Sequence, residues 1–103
     1  MAVAFVQEWD LESDDRSTTN YDLVAKKVTE QNANPEGLVV HTAGFSEDAG
    51  VFRVFDVWES QEQAQRFIDE TLMPIVTELL SGQRDARPPT RQYFYELHDV
   101  LSG

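Results

Sequence analysis

Residues 51 to 67 read VFRVFDVWESQEQAQRF, and the pattern of the chain changes within this stretch. Before Glu59 nearly every residue is apolar, apart from one charge of each sign at Arg53 and Asp56. From Glu59 onward the residues are polar with helical spacing. The stretch therefore predicts a buried strand that ends at Trp58 and is followed at once by a helix.

The remaining elements follow from alternation and helical spacing on either side. The predicted elements are strand one at residues 3 to 11, helix one from Tyr21 to about Gln31, strand two at 38 to 46, strand three at 51 to 58, helix two from Ser60, and strand four at 91 to 98. Strand one carries one polar residue, Gln7, on its apolar side. Ser60 and Gln63 form an S-x-x-Q capping box. Pro74 should kink or restart helix two, and Gly82 should end it.

The order βαββαβ predicts one α+β domain over residues 1 to 103, with the ferredoxin-like plan. In this plan a four-stranded antiparallel sheet carries two helices on one face. Strands two and three are apolar on both sides, so the sheet face without helices needs a cover as well. A second copy of the chain would bury it, and we therefore expect a homodimer.

Composition limits the partners. The chain has 8 Lys and Arg against 19 Asp and Glu, a net charge of −11, which repels phosphate backbones and anionic lipid. We expect no nucleic-acid partner and no membrane partner. The absence of cysteine excludes disulfides and thiolate catalysis. The start MAVAFVQEWD lacks the basic and apolar regions of a signal peptide, which predicts a cytoplasmic protein.

Three segments carry a resemblance to a known family. GLVVHTAGF, then FDVWESQEQAQRF and a late YFYELH, resemble the dimeric α+β barrel superfamily. Within it, they resemble proteins similar to antibiotic biosynthesis monooxygenases, in which a V-W-E-S junction ends the third strand and opens the second helix. That superfamily also includes isomerases, haem-degrading enzymes, stress-response proteins and members without known activity, so the resemblance implies a fold and not a reaction.

The hairpin between strands two and three predicts a candidate site. If Ser46 and Val51 flank the four-residue loop EDAG, paired positions sum to 97 and His41 lies opposite Asp56. Trp58 then shares their face, and the neighbours on that face are apolar: Val39, Ala43, Phe45, Phe52 and Val54. A carboxylate beside a histidine fixes its tautomer and supports its protonated form, as proton transfer at a bound substrate requires.

Each candidate residue also has a structural interpretation. His41 and Asp56 are the candidate catalytic residues, or else a hydrogen-bonded pair that satisfies two buried polar groups. Trp58 is a core residue or a pocket wall, as the resemblance implies. The other candidate substrate-binding residues are Phe52, Phe67, Tyr93 and Tyr95, of which the two tyrosines either pack in the dimer or bind a ligand through their phenols.

Three further charged features receive structural interpretations. Arg53 falls on the face opposite His41, where it forms an interface ion pair or snorkels. His98, near the chain end, is expected to be exposed. The acidic residues of the N-terminal region form no EF-hand pattern and include no histidine, so we predict a solvated surface and no metal site. They are Glu8, Asp10, Glu12, Asp14 and Asp15.

Two function classes remain open. The first is a small enzyme that acts on a hydrophobic, aromatic or polyketide-like substrate. It would use His41 as base or proton shuttle, Asp56 as its orienting partner and Trp58 as a wall, with no bound cofactor. The second is a non-catalytic dimeric module that binds a small ligand or a partner. A haem-degrading variant is a third option. A partly polar cavity beside His41 would favour the enzyme, and tight filling by Trp58 and Phe67 would favour the module.

Overall fold

A four-stranded antiparallel sheet with the strand order β2-β3-β1-β4 forms the centre of the computed structural model, which describes residues 1–12, 15–83 and 86–101. The strands are β1 (Val3–Asp10), β2 (Leu38–Ser46), β3 (Val51–Trp58) and β4 (Arg91–Glu96). The helices are α1 (Thr19–Gln31), α2 (Gln61–Phe67) and α3 (Met73–Leu80), with a π-helical turn, Ile68–Leu72, between α2 and α3. The predicted order and fold class are confirmed.

The β2–β3 hairpin has the predicted register. His41 pairs with Asp56 and Phe45 pairs with Phe52. The loop between the strands is closed by a bond from the Gly50 N–H to the Glu47 carbonyl at 3.2 Å, and Gly50 has a φ of 68°, a conformation that glycine adopts without strain. A bulge between Leu38 and Val40 shifts the start of β2, so Val39 falls outside the inward-facing series in which it was predicted.

Two strand ends differ slightly from the prediction. β1 ends at Asp10 and not at residue 11, although the Leu11 N–H still bonds to the carbonyl of Gly50, the residue before β3, at 2.9 Å. β4 ends at Glu96 and not at residue 98, because Glu96 pairs with Val3, the first residue of its only partner strand. His98 therefore lies beyond the sheet, where it is exposed as expected.

The second helical region begins and restarts where the sequence predicts. The Ser60 hydroxyl accepts a bond from the Gln63 N–H at 3.2 Å, but the Gln63 carboxamide accepts from that same hydroxyl at 3.0 Å and does not reach the Ser60 backbone. The π-helical turn precedes Pro74, which stands in the first turn of α3. Proline lacks an N–H, so a helix that restarts there loses no internal bond. Gly82 follows the end of α3 with a φ of 85°.

The helices cover one sheet face, which we call the inner face. Alternate strand residues point to it, and the core forms where α2 and the π-helical turn meet β1 and β3. The buried residues of this core are Val3, Phe5, Trp58, Ala64 and Ile68. Phe94 of β4 extends the core by stacking on Phe5 at a ring distance of 4.7 Å.

The opposite sheet face, the outer face, carries exposed apolar side chains at both edges. Val40 of β2 and Tyr93 and Tyr95 of β4 are each more than 40% exposed. Between them Glu8 is buried and receives Arg53 Nε at 2.7 Å and Arg91 Nε at 2.8 Å. Arg53 is thus an ion-pair partner within its own chain. Across the described residues, no helix has both the length and the apolarity that crossing a membrane requires.

Candidate functional site

A cavity of about 910 Å³ lies between the inner face and the helices. It exists because α1 packs against α3 and the π-helical turn and buries none of its own residues. The side of α1 that carries Val24 and Val28 therefore faces open space above the sheet. Most of the wall is apolar or aromatic, which suits a hydrophobic ligand. Its aromatic members are Trp9, Tyr21, Phe45, Phe52, Trp58 and Phe67.

His41 and Asp56 form the polar centre of this cavity. His41 Nδ1 lies 2.5 Å from Asp56 Oδ1, a short charge-assisted contact. Asp56 is on a central strand and only 6% exposed, whereas His41 is on the edge strand with 42% of its side chain exposed. The hydrogen bond to Asp56 raises the pKa of His41, and burial of the ring opposes that rise. Both candidate catalytic residues line the cavity.

Tyr21 is a third polar residue beside His41 and Asp56, and the sequence analysis did not single it out. Its hydroxyl lies 2.6 Å from His41 Nε2, and the two rings are nearly parallel, with an interplanar angle of 7°. Burial, followed by the charges of Asp56 and Asp22, raises the pKa of this phenol. The sequence did contain a signal for this role. Tyr21 is the first residue of the apolar stripe of α1, and that stripe lies above the sheet face that carries His41.

The hydrogen-bond roles follow from the chemistry of the three groups. A carboxylate only accepts, so His41 donates its Nδ1–H to Asp56 and leaves Nε2 as an acceptor for the Tyr21 hydroxyl. A proton that passes from Tyr21 to His41 produces an imidazolium, which Asp56 stabilises. Tyr21, His41 and Asp56 thus form a continuous path from the cavity to a buried carboxylate, and we call this set the relay.

The predicted wall residues occupy different positions around the cavity. Trp58 is 1% exposed and packs against Phe67 at a ring distance of 5.2 Å, so it belongs to the core and also lines the cavity. Its Nε1–H is buried and has no acceptor among the described residues. Phe52 lies further along the inner face, where its ring meets Tyr21 edge-on at 5.4 Å. Of the five candidate substrate-binding residues, the structure thus brings three to the cavity: Phe52, Trp58 and Phe67.

Tyr93 and Tyr95 are not brought to this cavity. The inner-face residues of β4 are Gln92, Phe94 and Glu96, so the two tyrosines point to the outer face. Their rings stack on each other there at 6.2 Å. As candidate ligand contacts they are separated from His41 by the sheet itself.

The prediction that the N-terminal acidic residues form a solvated surface is wrong for Glu8, which is buried and paired with arginines. Glu8 is bonded to Arg53 and Arg91, and Arg91 also pairs with Asp10. The guanidinium of Arg91, then that of Arg53, lowers the pKa of Glu8. Asp14, which belongs to the same acidic run, lies outside the described residues. Within the described ranges no group of three or more His, Asp and Glu side chains is placed to hold a metal ion.

No family model matches the chain, and no curated protein matches it by sequence. Solved structures match its fold over nearly its whole length. The structure of Rv0793 from Mycobacterium tuberculosis matches with a TM-score of 0.66 and 20% identity, over 99% of this chain and 100% of that chain. SnoaB, a cofactor-independent oxygenase from Streptomyces nogalater, matches with a TM-score of 0.64 and 17% identity, over 99% and 98%.

A third match is to a protein that binds a large planar ligand. It is a point mutant of MhuD with two manganese protoporphyrin IX molecules bound per active site, with a TM-score of 0.61, 13% identity and full coverage of both chains. At these identities the likeness is one of fold. Two further matches are to proteins provisionally described as antibiotic biosynthesis monooxygenases, and together with SnoaB they confirm the α+β fold of one chain that the sequence resemblance implied.

Proposed function

We propose that this protein is a small enzyme that binds a hydrophobic, aromatic substrate in the inner-face cavity and removes a proton from it. The observation that carries the proposal is the relay at the wall of that cavity, with contacts of 2.6 Å and 2.5 Å. A substrate hydroxyl donates to the Tyr21 oxygen while the Tyr21 proton moves to His41 Nε2. Asp56 holds the imidazole in the required tautomer and stabilises its charge.

The apolar wall supports the same chemistry. A phenol or enol that loses its proton becomes an electron-rich anion, and the cavity shields that anion from bulk water while the relay supplies the compensating positive charge. Deprotonation of this kind is the step that these side chains supply without a bound cofactor. An oxygenase reaction of the type that gives SnoaB its description would then proceed from this anion with dioxygen. The fold shared with SnoaB supports this direction.

The alternative is a non-catalytic ligand-binding or interaction module. The close packing of Trp58 on Phe67 favours it, because part of the predicted wall is filled by core packing. The relay distinguishes the two functions. In a module, Asp56 and His41 only satisfy each other, and removal of Tyr21's hydroxyl changes neither the ionisation nor the turnover of a bound phenol.

The experiment uses two-ring and three-ring phenols, whose absorbance reports deprotonation. We expect these phenols to raise the melting temperature of the wild type, and their bound spectrum to show phenolate at pH values where the free phenol is neutral. Tyr21→Phe and His41→Gln should lose the phenolate spectrum. The matched controls are Tyr93→Phe on the outer face and His98→Gln beyond the sheet, which should retain it. If no phenol stabilises the wild type, the proposal is wrong.

We also propose that the working form is a homodimer joined through the outer faces. The support is the exposed Val40, Tyr93 and Tyr95, which lie on a face that no helix covers. A chain of 103 residues buries a modest share of its surface alone, so a second sheet over this face adds apolar burial. The protein should then sediment at twice its 11.8 kDa mass. A stable monomer at micromolar concentration would refute the dimer.

A further inference from the structure

Gln7 is a polar residue among the apolar residues that β1 places on the inner face, and it has no role in the relay. Its neighbours on that face are Phe5 and Trp9, and its cross-strand partners are Val54 on β3 and Gln92 on β4. A carboxamide among apolar residues is stabilising only when its polar atoms find partners. Gln7 and Gln92 both line the cavity, so the partners available to them include a bound ligand.

The two glutamines satisfy only half of each other's hydrogen-bonding groups. Gln7 Nε2 lies 2.9 Å from Gln92 Oε1, and this bond uses one donor and one acceptor. Whichever way the two amides are turned, one carbonyl oxygen and one NH₂ group remain. Neither makes another side-chain bond within the part of the chain that the structure describes. The pair therefore leaves one NH₂ group and one carbonyl oxygen available to a ligand.

This amide pair lies across the sheet from His41 of the relay. With the strand order β2-β3-β1-β4, His41 is on β2 and Gln7 is two strands away on β1, a lateral distance of about 10 Å. Val54 lies between them, directly across from Gln7, and is buried. A flat apolar ligand that rests on Val54 can thus reach the amide pair with one end and Tyr21 with the other.

We propose that Gln7 and Gln92 form an orienting site that binds a neutral edge carrying one acceptor and one donor side by side, such as a cyclic amide or a hydroxy-ketone. The inference deepens the proposed function and rests on it, since it assumes that the cavity holds an aromatic ligand. A carboxylate fits poorly because it offers only acceptors and leaves a glutamine carbonyl facing an anion. The net charge of −11 disfavours an anionic ligand further.

The test compares 2-quinolone, which carries adjacent C=O and N–H groups, with 1-methyl-2-quinolone, in which the donor is removed. We expect the wild type to bind 2-quinolone about tenfold more tightly, since the methylated probe leaves a glutamine carbonyl unpaired. Gln7→Leu and Gln92→Leu should each reduce this preference to less than about twofold. Gln65→Leu, at an exposed glutamine of α2 outside the cavity, is the matched control and should keep it.

Several results would overturn the inference. They are no binding of 2-quinolone to the wild type, equal affinity for both probes, tighter binding of naphthalene-2-carboxylate, or a preference that survives both leucine variants. Gln92 is exposed at a sheet edge, so Gln92→Leu tests the pair even if Gln7→Leu destabilises the fold. The phenolate spectrum of the relay is measured separately. A preference for 2-quinolone that depends on both glutamines, in a protein that shows no phenolate spectrum with any phenol, supports the amide pair and refutes the proton-transfer function. A phenolate spectrum that depends on His41, without a preference for 2-quinolone, supports proton transfer and refutes the amide pair.

Discussion

Asparagine at position 56 should keep the shape of the site and remove the charge that faces His41. Asp56 is buried, and its side-chain partner is the His41 imidazole at 2.5 Å. Loss of a charge-assisted hydrogen bond at a buried site costs about 1 to 3 kcal/mol of unfolding free energy. For a domain of this length, each kcal/mol lowers the melting temperature by about 4 to 8 °C.

The loss of unfolding free energy in Asp56→Asn should be larger at low pH than at high pH. The pKa of His41 is raised in the folded protein by its bond to Asp56. The stability that this bond contributes is therefore fully present below the unfolded histidine pKa of about 6.5, and it is lost as the pH rises through the folded pKa. Asp56→Asn should consequently lose more stability at pH 6 than at pH 9.

The assay is urea unfolding followed by tryptophan fluorescence at both pH values, with NMR titration of the histidines. His98, which is exposed beyond the end of β4, gives a second imidazole signal for comparison. Asp48→Asn in the β2–β3 loop is the matched control and should unfold like the wild type. If Asp56→Asn leaves the pKa of His41 unchanged and costs the same stability at both pH values, the argument for a charged pair is refuted.

Three further changes test other parts of the structure. Trp58→Phe should lower the unfolding free energy by about 1 to 2 kcal/mol in urea melts, because a smaller ring leaves a cavity in the core; unchanged stability would show that Trp58 is a wall residue only. Glu8→Gln should cost about 1 kcal/mol at pH 7, a modest value because both guanidiniums are partly exposed. Because the pKa of Glu8 is lowered, that difference should be present above its unfolded pKa and vanish as the pH falls through the folded pKa; a constant difference down to pH 2 would contradict the ion-pair account. Tyr95→Asp on the outer face should convert the expected dimer to a monomer in sedimentation without unfolding it, and an unchanged dimer would place the interface elsewhere.

The sequence alone was sufficient to predict those features of the site that depend on backbone geometry over a few residues. The loop length sets the pairing of β2 with β3, and alternation then puts His41, Asp56 and Trp58 on one face. Pro74 restarts the helix for an equally local reason, since it cannot donate a helical hydrogen bond. These are consequences of backbone geometry over a few residues.

The contacts that depend on packing could not be predicted in this way. The contact between Tyr21 and His41 depends on how far α1 stands from the sheet, and that distance follows from the packing of α1 on α3 and the π-helical turn. Helical spacing shows which side of α1 faces inward but not how far away the sheet lies. Arg53 likewise has two neighbours across the sheet, and only the strand order shows that Glu8 is its partner.

The partners of the two buried carboxylates of the sheet are the reason that we place the proposed proton transfer on one face and not the other. Glu8 on the outer face is held between Arg53 and Arg91, which stay charged at every physiological pH, so its own charge has no partner to exchange a proton with. Asp56 on the inner face is paired with an imidazole, the one side-chain type whose ordinary pKa lies near neutral. Burial gives both carboxylates strong partners, but only the partner of Asp56 can gain and lose a proton, and only that partner lies on a cavity. The relay therefore lies on the inner face because Asp56 is paired with a histidine there, whereas Glu8 on the outer face is paired with arginines.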